Sequence, residues 1–249
     1  MNSSCDDQRL LFWRGFGLDE PLSYKNLKIL EIGCGRGKRC FEAALGGASK
    51  VLGVDIAEKS IQHARTTLSS KFPEFISIVT FECSSINQIS ENNFDVIISE
   101  NAFEHILDVP SVLNELKLRL KKGGKIYIGF GPLFHSPFGD HGWIRGALPF
   151  GRWLPWSHTI LPRGLILKIL SRYHRRQITN FCDWPFQSLN ELTVADFRRI
   201  FEESGLRVLS FRVNVGYSPT AKLFALIGKF PPLEKYFTHN VFCILEKEV

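Results

Sequence analysis

The sequence lacks the features that mark membrane-spanning, secreted and disulfide-rich proteins. No apolar run reaches the roughly 18–20 residues that a spanning helix needs. Residues 1–7 are polar and acidic, unlike the start of a cleavable signal peptide. The six cysteines contain no C-x-x-C pair, so we expect reduced and mostly buried thiols. Together these absences favour a cytoplasmic protein.

The chain has fewer acidic than basic residues. The chain has 25 Asp and Glu against 31 Lys and Arg, which gives a net charge of +6 at pH 7. This balance favours an anionic substrate or an acidic surface as an encounter partner. Charged residues make up 22% of the chain and hydrophobic residues 44%, which excludes global disorder. The 249 residues can bury a full core as one domain with an insertion, or as one and a half domains.

A glycine-rich bend organises the first half of the chain. The apolar run 28–32 leads into Gly33, Gly35 and Gly37, and a helical pattern begins at Lys38. Glycines allow a sharp turn and let a ligand approach bare backbone, while the N–H groups of the next helix attract an anion. Two ligands fit, the pyrophosphate of a dinucleotide and the methionine end of S-adenosylmethionine. The G-x-G-x-G spacing differs from the dinucleotide fingerprint G-x-G-x-x-G.

Strand and helix patterns then alternate along the chain. This alternation predicts a parallel sheet with right-handed crossovers. The predicted strands are 28–32, 50–55, 76–81, 94–99 and 125–130, and the predicted helices are 38–46, 58–70 and one begun by Asp108 and Pro110. In the tail, the patterns predict a helix capped by Thr193 and Asp196, a strand over 206–215, a helix over 222–227 and a closing strand over 240–246.

Four stretches in this order and spacing resemble the class I S-adenosylmethionine-dependent methyltransferases of the small-molecule type. The stretches are Glu31–Gly37, Val51–Ile56, Phe94–Ile106 and Leu120–Ile128. The resemblance covers Lys28 to Gly131 well and the last fifty or so residues more loosely. It implies an α/β fold, a Rossmann-like doubly wound seven-stranded sheet whose last strand is antiparallel, with a cap insertion after strand 5.

The resemblance also implies S-adenosylmethionine as the cofactor. In the family, the acidic residue at the position of Glu31 faces the amino-acid end of the cofactor. An acidic residue at the position of Asp55 accepts hydrogen bonds from both ribose hydroxyls. Many relatives carry an acid near position 84 for the adenine amine, whereas this chain has two serines there. The residues assigned to the cofactor are Glu31, Gly33, Cys34, Gly35, Gly37, Asp55, Ile56, Ser84, Ser85, Ser99 and Glu100.

Methyl transfer is an in-line displacement that needs alignment above all, and it needs a general base only for a hydroxyl or protonated amine. The catalytic candidates are His105, after the fourth strand, and His135, Asp140 and His141, beyond the fifth. A His–Asp base, ligands of a divalent metal that orients a diol, substrate binding and a structural loop all remain open for the last three. Their spacing matches no recognised metal motif, so no metal ligand is assigned, and whether a divalent metal is used stays open.

Residues 132–192 break the alternation with Trp143, Trp153, Trp156 and Trp184, repeated prolines and an excess of cations. Family members insert a substrate cap at this position. Four interpretations stay open: a lid over a bulky acceptor, a peripheral membrane contact through 143–176, a nucleic-acid surface, and an ordinary cap. The expected divisions are a helical segment 1–24, a cofactor-binding half 25–131, the cap 132–192 and the completion of the sheet 193–249.

The sequence thus predicts methyl transfer to a small-molecule or lipid-linked acceptor, with oxygen as the expected methylated atom. Two alternatives belong to other classes, a nucleic-acid methyltransferase that uses the basic aromatic insertion and a non-catalytic cofactor-binding scaffold. No separate RNA-binding module or long basic tract supports the first. The acceptor, the methylated atom and the oligomeric state stay open.

Overall fold

A seven-stranded mixed sheet carries the fold, with the strands in the order β3-β2-β1-β4-β5-β7-β6. The computed structural model describes residues 10–142, 146–147, 154–179, 189–216 and 219–249. The strands are β1 Lys28–Ile32, β2 Lys50–Asp55, β3 Val79–Cys83, β4 Phe94–Glu100, β5 Leu120–Phe130, β6 Arg207–Val213 and β7 Val241–Glu246. Strands β1 to β5 pair in parallel, and β7 runs antiparallel to both β5 and β6. The predicted fold class is confirmed.

Helices cover both faces of the sheet. Residues 10–15 are helical. The following helices are α1 Lys38–Leu45, α2 Glu58–Lys71, α3 Val109–Arg119, α4 Ser157–Ile160, α5 Arg163–Tyr173, α6 Val194–Glu203, α7 Pro219–Ile227 and α8 Pro231–Phe237. One hydrophobic core lies on the face of α3 and α6, and a second lies on the face of α1 and α2. The central strands are buried from both sides, which is why their sequences are continuous apolar runs.

The register brings three strand ends to one edge. Ile32 at the end of β1 pairs with Val54 of β2 on one side and with Ser99 of β4 on the other. Consequently Gly33, Asp55 and Glu100 leave the sheet at the same level. In open α/β sheets this carboxyl edge is where ligands bind.

Several elements differ from the predicted pattern. Strand β5 starts at Leu120 rather than at residue 125, and α4 and α5 were not predicted. Strand β3 starts at Val79 rather than at residue 76, because a 3₁₀ turn over Pro73–Phe75 places the next residues in turns, and Ile76 is exposed. Helix α8 was not predicted; two prolines in its first turn set the helical backbone there.

The N-terminal segment packs onto the sheet. Phe12, Trp13 and Phe16 are buried in the second core, with ring contacts to Tyr127 of β5 and Phe242 of β7.

Within residues 132–192, the described part forms a small separate cluster. Ile166 and Leu170 of α5 pack with Phe134, Ile178 and Leu189. Trp143, Trp153 and Trp184 lie outside the described residues. Among the helices that the structure describes, none combines the length and the apolarity needed to cross a membrane.

Candidate functional site

The glycine bend lies at the carboxyl end of β1, and all three glycines have left-handed backbones. The φ angles are 66° at Gly33, 52° at Gly35 and 82° at Gly37. A Cβ at Gly33 would lie 2.5 Å from the Ala102 Cβ, and one at Gly37 would lie 2.6 Å from the Phe81 ring. At Gly35 a Cβ would meet nothing within 4 Å. Packing therefore requires glycine at the two outer positions, while Gly35 leaves bare backbone beside open space.

Asp55, at the end of β2, fixes this bend. Its Oδ2 accepts a hydrogen bond from the Gly35 amide at 2.8 Å, and its Oδ1 accepts one from the Ala57 amide at 2.8 Å. The same carboxylate thus ties the glycine bend to the start of α2. The next side chain, Ile56, is 81% exposed, which is unusual for isoleucine and leaves an apolar surface beside the carboxylate.

A cavity of about 400 Å³ opens beside Asp55. Ser84 lines it, and the hydroxyl of Ser84 is buried without a hydrogen-bond partner among the described residues. Ser85 lines it too, but its side chain takes part in a capping box with Gln88. The principal lining residues are Gly33, Asp55, Ile56, Ser84, Asn101 and His105.

A second cavity of about 430 Å³ lies toward β5 and β7. The N-terminal residues Leu11 and Phe12 form one wall, and Gly131 and Asn240 lie on another. Asn101 lines both cavities, so the two spaces are neighbours at the residue that follows β4. Each volume lies within the range of small-molecule sites.

The comparison with known families settles what kind of domain carries these cavities. Residues 23–130 match the family model described as a methyltransferase domain. These residues therefore form a methyltransferase domain. The matched range spans β1 to β5, and so contains the glycine bend and Asp55.

Individual relatives agree with this assignment. A 155-residue stretch is 29% identical to the ubiquinone biosynthesis O-methyltransferase of Pelagibacter ubique, covering 59% of this chain and 60% of that protein. A 123-residue stretch is 30% identical to the arsenite methyltransferase of Mus musculus, covering 45% and 33%. Matches of this kind span between a third and three fifths of the curated relatives. The structure of an S-adenosylmethionine-dependent methyltransferase from Mesorhizobium loti superposes with a TM-score of 0.58 at 18% identity, over 95% of this chain and 97% of that one.

S-adenosylmethionine is the cofactor of this domain, and the residues present fit it. Gly35 leaves a cradle that any side chain would fill, and Asp55 offers a carboxylate beside it. Ile56 offers an apolar surface for a purine ring, and the Ser84 hydroxyl lacks a partner that an adenine edge can supply.

Glu31 holds the methyltransferase domain together beside the cavities. It is 3% exposed, and its Oε2 accepts hydrogen bonds from the Cys40 amide at 2.8 Å and the Cys40 thiol at 2.9 Å. The bonds tie the first turn of α1 to β1, and Glu31 lines neither cavity. Its part at the amino-acid end of the cofactor stays a prediction. Burial raises the pKa of Glu31 from 4.5 to about 8.

This shift predicts a pH dependence of stability. Because the folded pKa lies above the unfolded one, the stability that protonated Glu31 contributes is complete below about pH 4.5 and is lost as the pH rises through 8. Between pH 5 and 8, Glu31 is expected to lower the free energy of unfolding of the parent protein by about 1.4 kcal/mol for each pH unit. We expect Glu31→Gln to remove this contribution. Urea unfolding across that range measures it. Parallel profiles for the variant and the parent protein would contradict the assignment.

Arg39 forms a buried ion network behind the site. Its guanidinium pairs with Glu42 and binds Glu100 through two hydrogen bonds of 2.8 and 2.9 Å. Glu42 also accepts hydrogen bonds from the Trp13 indole at 2.8 Å and the Tyr24 hydroxyl at 2.9 Å. The network links the N-terminal segment, α1 and the end of β4. Glu100 thus reaches the second cavity with its carboxylate already held by Arg39.

Two further residues predicted to bind the cofactor are buried near the bend. Cys34 is buried within the glycine bend, and its amide donates to the Val54 carbonyl at 3.0 Å. Ser99 is buried in β4, and its hydroxyl has no hydrogen-bond partner among the described residues. Neither lines the two cavities, so their contact with the cofactor stays a prediction.

Of the four catalytic candidates, the structure brings His105 and His141 together. Their ring centroids lie 5.1 Å apart, and His105 lines the first cavity. Burial and the neighbouring His105 lower the pKa of His141 from 6.5 to about 4, so its imidazole is neutral at pH 7. Glu104 joins this pair from the same turn, and burial raises the pKa of Glu104 to about 8.

The other two candidates lie apart from this pair. Nε2 of His135 lies 3.1 Å from the Glu191 carbonyl oxygen, and the His135 ring contacts Tyr236 of α8 rather than either cavity. Asp140 is buried, and its Oδ1 accepts a hydrogen bond from the Gly142 amide at 3.2 Å. These contacts fix the loop after β5, and a catalytic part for either residue stays a prediction.

Sequence reasoning missed Asn101, Arg39 and Asn190. Asn101 follows β4 with a left-handed φ of 53°, a position that favours asparagine, so this signal was available. Arg39 gave no signal, because an arginine in the first turn of a helix is ordinarily exposed. Asn190 hydrogen-bonds to the turn that carries His105, but it lies far from that turn along the chain, so no local pattern indicates the contact.

Proposed function

We propose that this chain transfers a methyl group from S-adenosylmethionine to an oxygen of a small-molecule acceptor. The observation that carries the proposal is that two cavities of small-molecule size are neighbours at Asn101, one bounded by the glycine bend and Asp55 and the other by the N-terminal segment. A cofactor in the first cavity then has its reacting end beside a separate space for the acceptor. When bound, S-adenosylmethionine supplies an activated methyl group on a sulfonium.

The chain's own residues hold and align the reactants in this proposal. The start of α1 receives the carboxylate of the cofactor, Asp55 accepts the ribose hydroxyls, and Ser84 contacts the adenine edge. Phe12 and Phe242 supply apolar walls that exclude water from the acceptor space. The relatives named O-methyltransferases support oxygen as the attacking atom.

The two adjacent imidazoles serve the acceptor. A hydroxyl must lose its proton as it attacks, and a neutral imidazole accepts it. We expect His105→Ala or His141→Ala to lower kcat about 100-fold, the lower end of general-base contributions, while cofactor affinity stays within about twofold. His63→Ala, an exposed histidine of α2, is the matched control. Unchanged turnover in both site variants would remove these residues from the reaction.

The acceptor class can be tested directly. The protein is incubated with S-adenosylmethionine labelled on its methyl group and with separate small-molecule, lipid and RNA extracts. The proposal expects label in a small-molecule or lipid fraction. Label in RNA would establish the nucleic-acid alternative, and cofactor binding without transfer to any fraction would establish the scaffold alternative.

A lipid-linked acceptor is a second candidate, favoured by a group of exposed apolar side chains and by a basic stretch of sequence. Trp156 contacts Phe224 and Phe237, which joins the insertion to α7 and α8. Several large apolar side chains are exposed on these elements: Leu154, Ile160, Leu165, Leu223, Leu226 and Phe230. Residues 141–182 contain seven Lys and Arg and no Asp or Glu. Such a composition suits the interface of an anionic membrane.

Vesicle binding tests this second candidate. We expect the protein to sediment with anionic phospholipid vesicles at low salt, to sediment less at high salt, and not to sediment with neutral vesicles. Leu226→Glu with Phe230→Glu should abolish sedimentation. Leu118→Glu, which changes an equally exposed leucine on α3, should leave it intact. Equal behaviour of the two variants would contradict a membrane-binding face.

A further inference from the structure

We infer that Glu104, His105 and His141 form a binding site for a divalent transition-metal ion that holds the oxygen of the acceptor. One ligand atom from each of these three side chains lies within 4.8 Å of the other two. Two imidazoles and one carboxylate form the ligand set of many catalytic zinc and non-haem iron sites, which keep further positions open for water or substrate. The inference rests on the proposed function and names a chemical class of acceptor for it.

The carboxylate of Glu104 supplies an independent observation. Glu104 is 2% exposed, and neither of its oxygens has a hydrogen-bond partner of normal geometry among the described residues, although the backbone amides of Gly131 and of Glu104 itself interact with the carboxyl group. Buried carboxyl groups are ordinarily paired, hydrogen-bonded or bound to a cation, because a buried polar group without a partner is costly. A metal ion between Glu104 and the two imidazoles would supply the missing partner.

The spacing is close to what such an ion needs. Metal–ligand bonds of about 2.0–2.2 Å place the ligand atoms of one ion about 3–4 Å apart. The ligand atoms of the three side chains lie within 4.8 Å of one another, and side-chain rotations can close the difference of about 1 Å. One ligand is already oriented, since the His141 ring hydrogen-bonds to the Pro132 backbone carbonyl. Metal-binding histidines commonly make this second bond, which fixes the ring.

The turn that carries Glu104 and His105 is rigidly held. The Asn190 side-chain amide donates to the carbonyls of Phe103 and Ile106, each at 2.7 Å, and the Asn190 backbone amide donates to the Glu104 carbonyl at 2.9 Å. Asn190 is buried, so these bonds are protected from water. Preorganised ligands of this kind favour metal binding over adventitious contact.

The cluster lies between the two cavities. His105 lines the first cavity, while the Gly131 amide lies beside the Glu104 carboxylate and Gly131 lines the second cavity. A metal ion there would be next to Asn101, where the two spaces are neighbours. It would bind the acceptor hydroxyl and lower the pKa of that hydroxyl, so that the alkoxide or phenoxide forms at neutral pH and its proton leaves to water. With the metal ion bound, the imidazoles act as its ligands; in the metal-free protein they remain the base of the proposed function.

Cobalt titration tests the site. The protein, freed of any histidine tag and treated with chelator, is titrated with Co²⁺ alone and followed by visible absorbance and calorimetry. We expect one Co²⁺ per chain. Glu104→Gln and His141→Ala should each weaken binding at least 100-fold, and the exposed-histidine control His63→Ala should leave it unchanged.

Each variant is also titrated with S-adenosylhomocysteine, and cofactor affinity within about twofold of the parent shows that it is folded. Absence of saturable Co²⁺ binding, or binding that neither site variant weakens, would overturn the inference. With cofactor binding and methyl transfer intact, that result leaves the proposed function standing. Failure to bind the cofactor would instead overturn the proposed function, whatever the cobalt titration shows.

Discussion

Replacing Arg39 by methionine is expected to lower the free energy of unfolding by about 3–5 kcal/mol. Methionine fills much of the same volume but leaves Glu42 and Glu100 without their cation. Glu42 is buried and receives its other hydrogen bonds from Trp13 and Tyr24. The loss therefore spreads to the contact between the N-terminal segment and α1.

Urea unfolding of three variants measures this effect. Arg39→Lys keeps the charge but loses the bidentate geometry, so an intermediate loss is expected, and it also serves if Arg39→Met does not fold. Arg199→Met removes an exposed arginine paired with Asp196 and should cost no more than about 1 kcal/mol. Similar losses for Arg39→Met and Arg199→Met would show that the buried network does not stabilise the fold.

The second large effect is on cofactor affinity. We expect Asp55→Ala to weaken the binding of S-adenosylhomocysteine about 100-fold or more. Hydrogen bonds to a charged group contribute about 1.5–3 kcal/mol each, and every 1.4 kcal/mol is a factor of ten in affinity. The change removes the acceptor for the ribose and also frees the amides of Gly35 and Ala57, which loosens the glycine bend.

Calorimetry on matched variants separates binding from folding. Asp19→Ala removes an exposed acid outside both cavities and should bind the cofactor like the parent protein. Asp55→Asn retains one acceptor oxygen and should fall between the two. Tight binding by Asp55→Ala would mean that the carboxylate stabilises the bend without touching the cofactor.

The sheet was predictable because its strands are buried on both faces and therefore appear as continuous apolar runs. The bounds of β1 and β2 agree with the predicted ranges, and β4 extends one residue further. The start of β3 was not predictable in this way, because Ile76 and Ile78 continue the apolar pattern although they lie in a turn.

The site was predictable where local backbone determines it and less so where distant segments meet. Gly33, Gly35 and Gly37 adopt the left-handed conformations that their spacing indicates. The contact between His105 and His141 depends instead on how the loop after β5 folds back over the end of β4. No pattern in the sequence shows that path, and for the same reason the grouping of Glu104 with these histidines appears only in the structure.

The most direct test of the central claim is a calorimetric titration of the purified protein with S-adenosylhomocysteine. If the glycine bend and Asp55 hold the nucleoside and amino-acid ends of the cofactor, the titration will show saturable binding of one molecule per chain. A folded protein that releases no heat with this compound and none with S-adenosylmethionine would contradict the account.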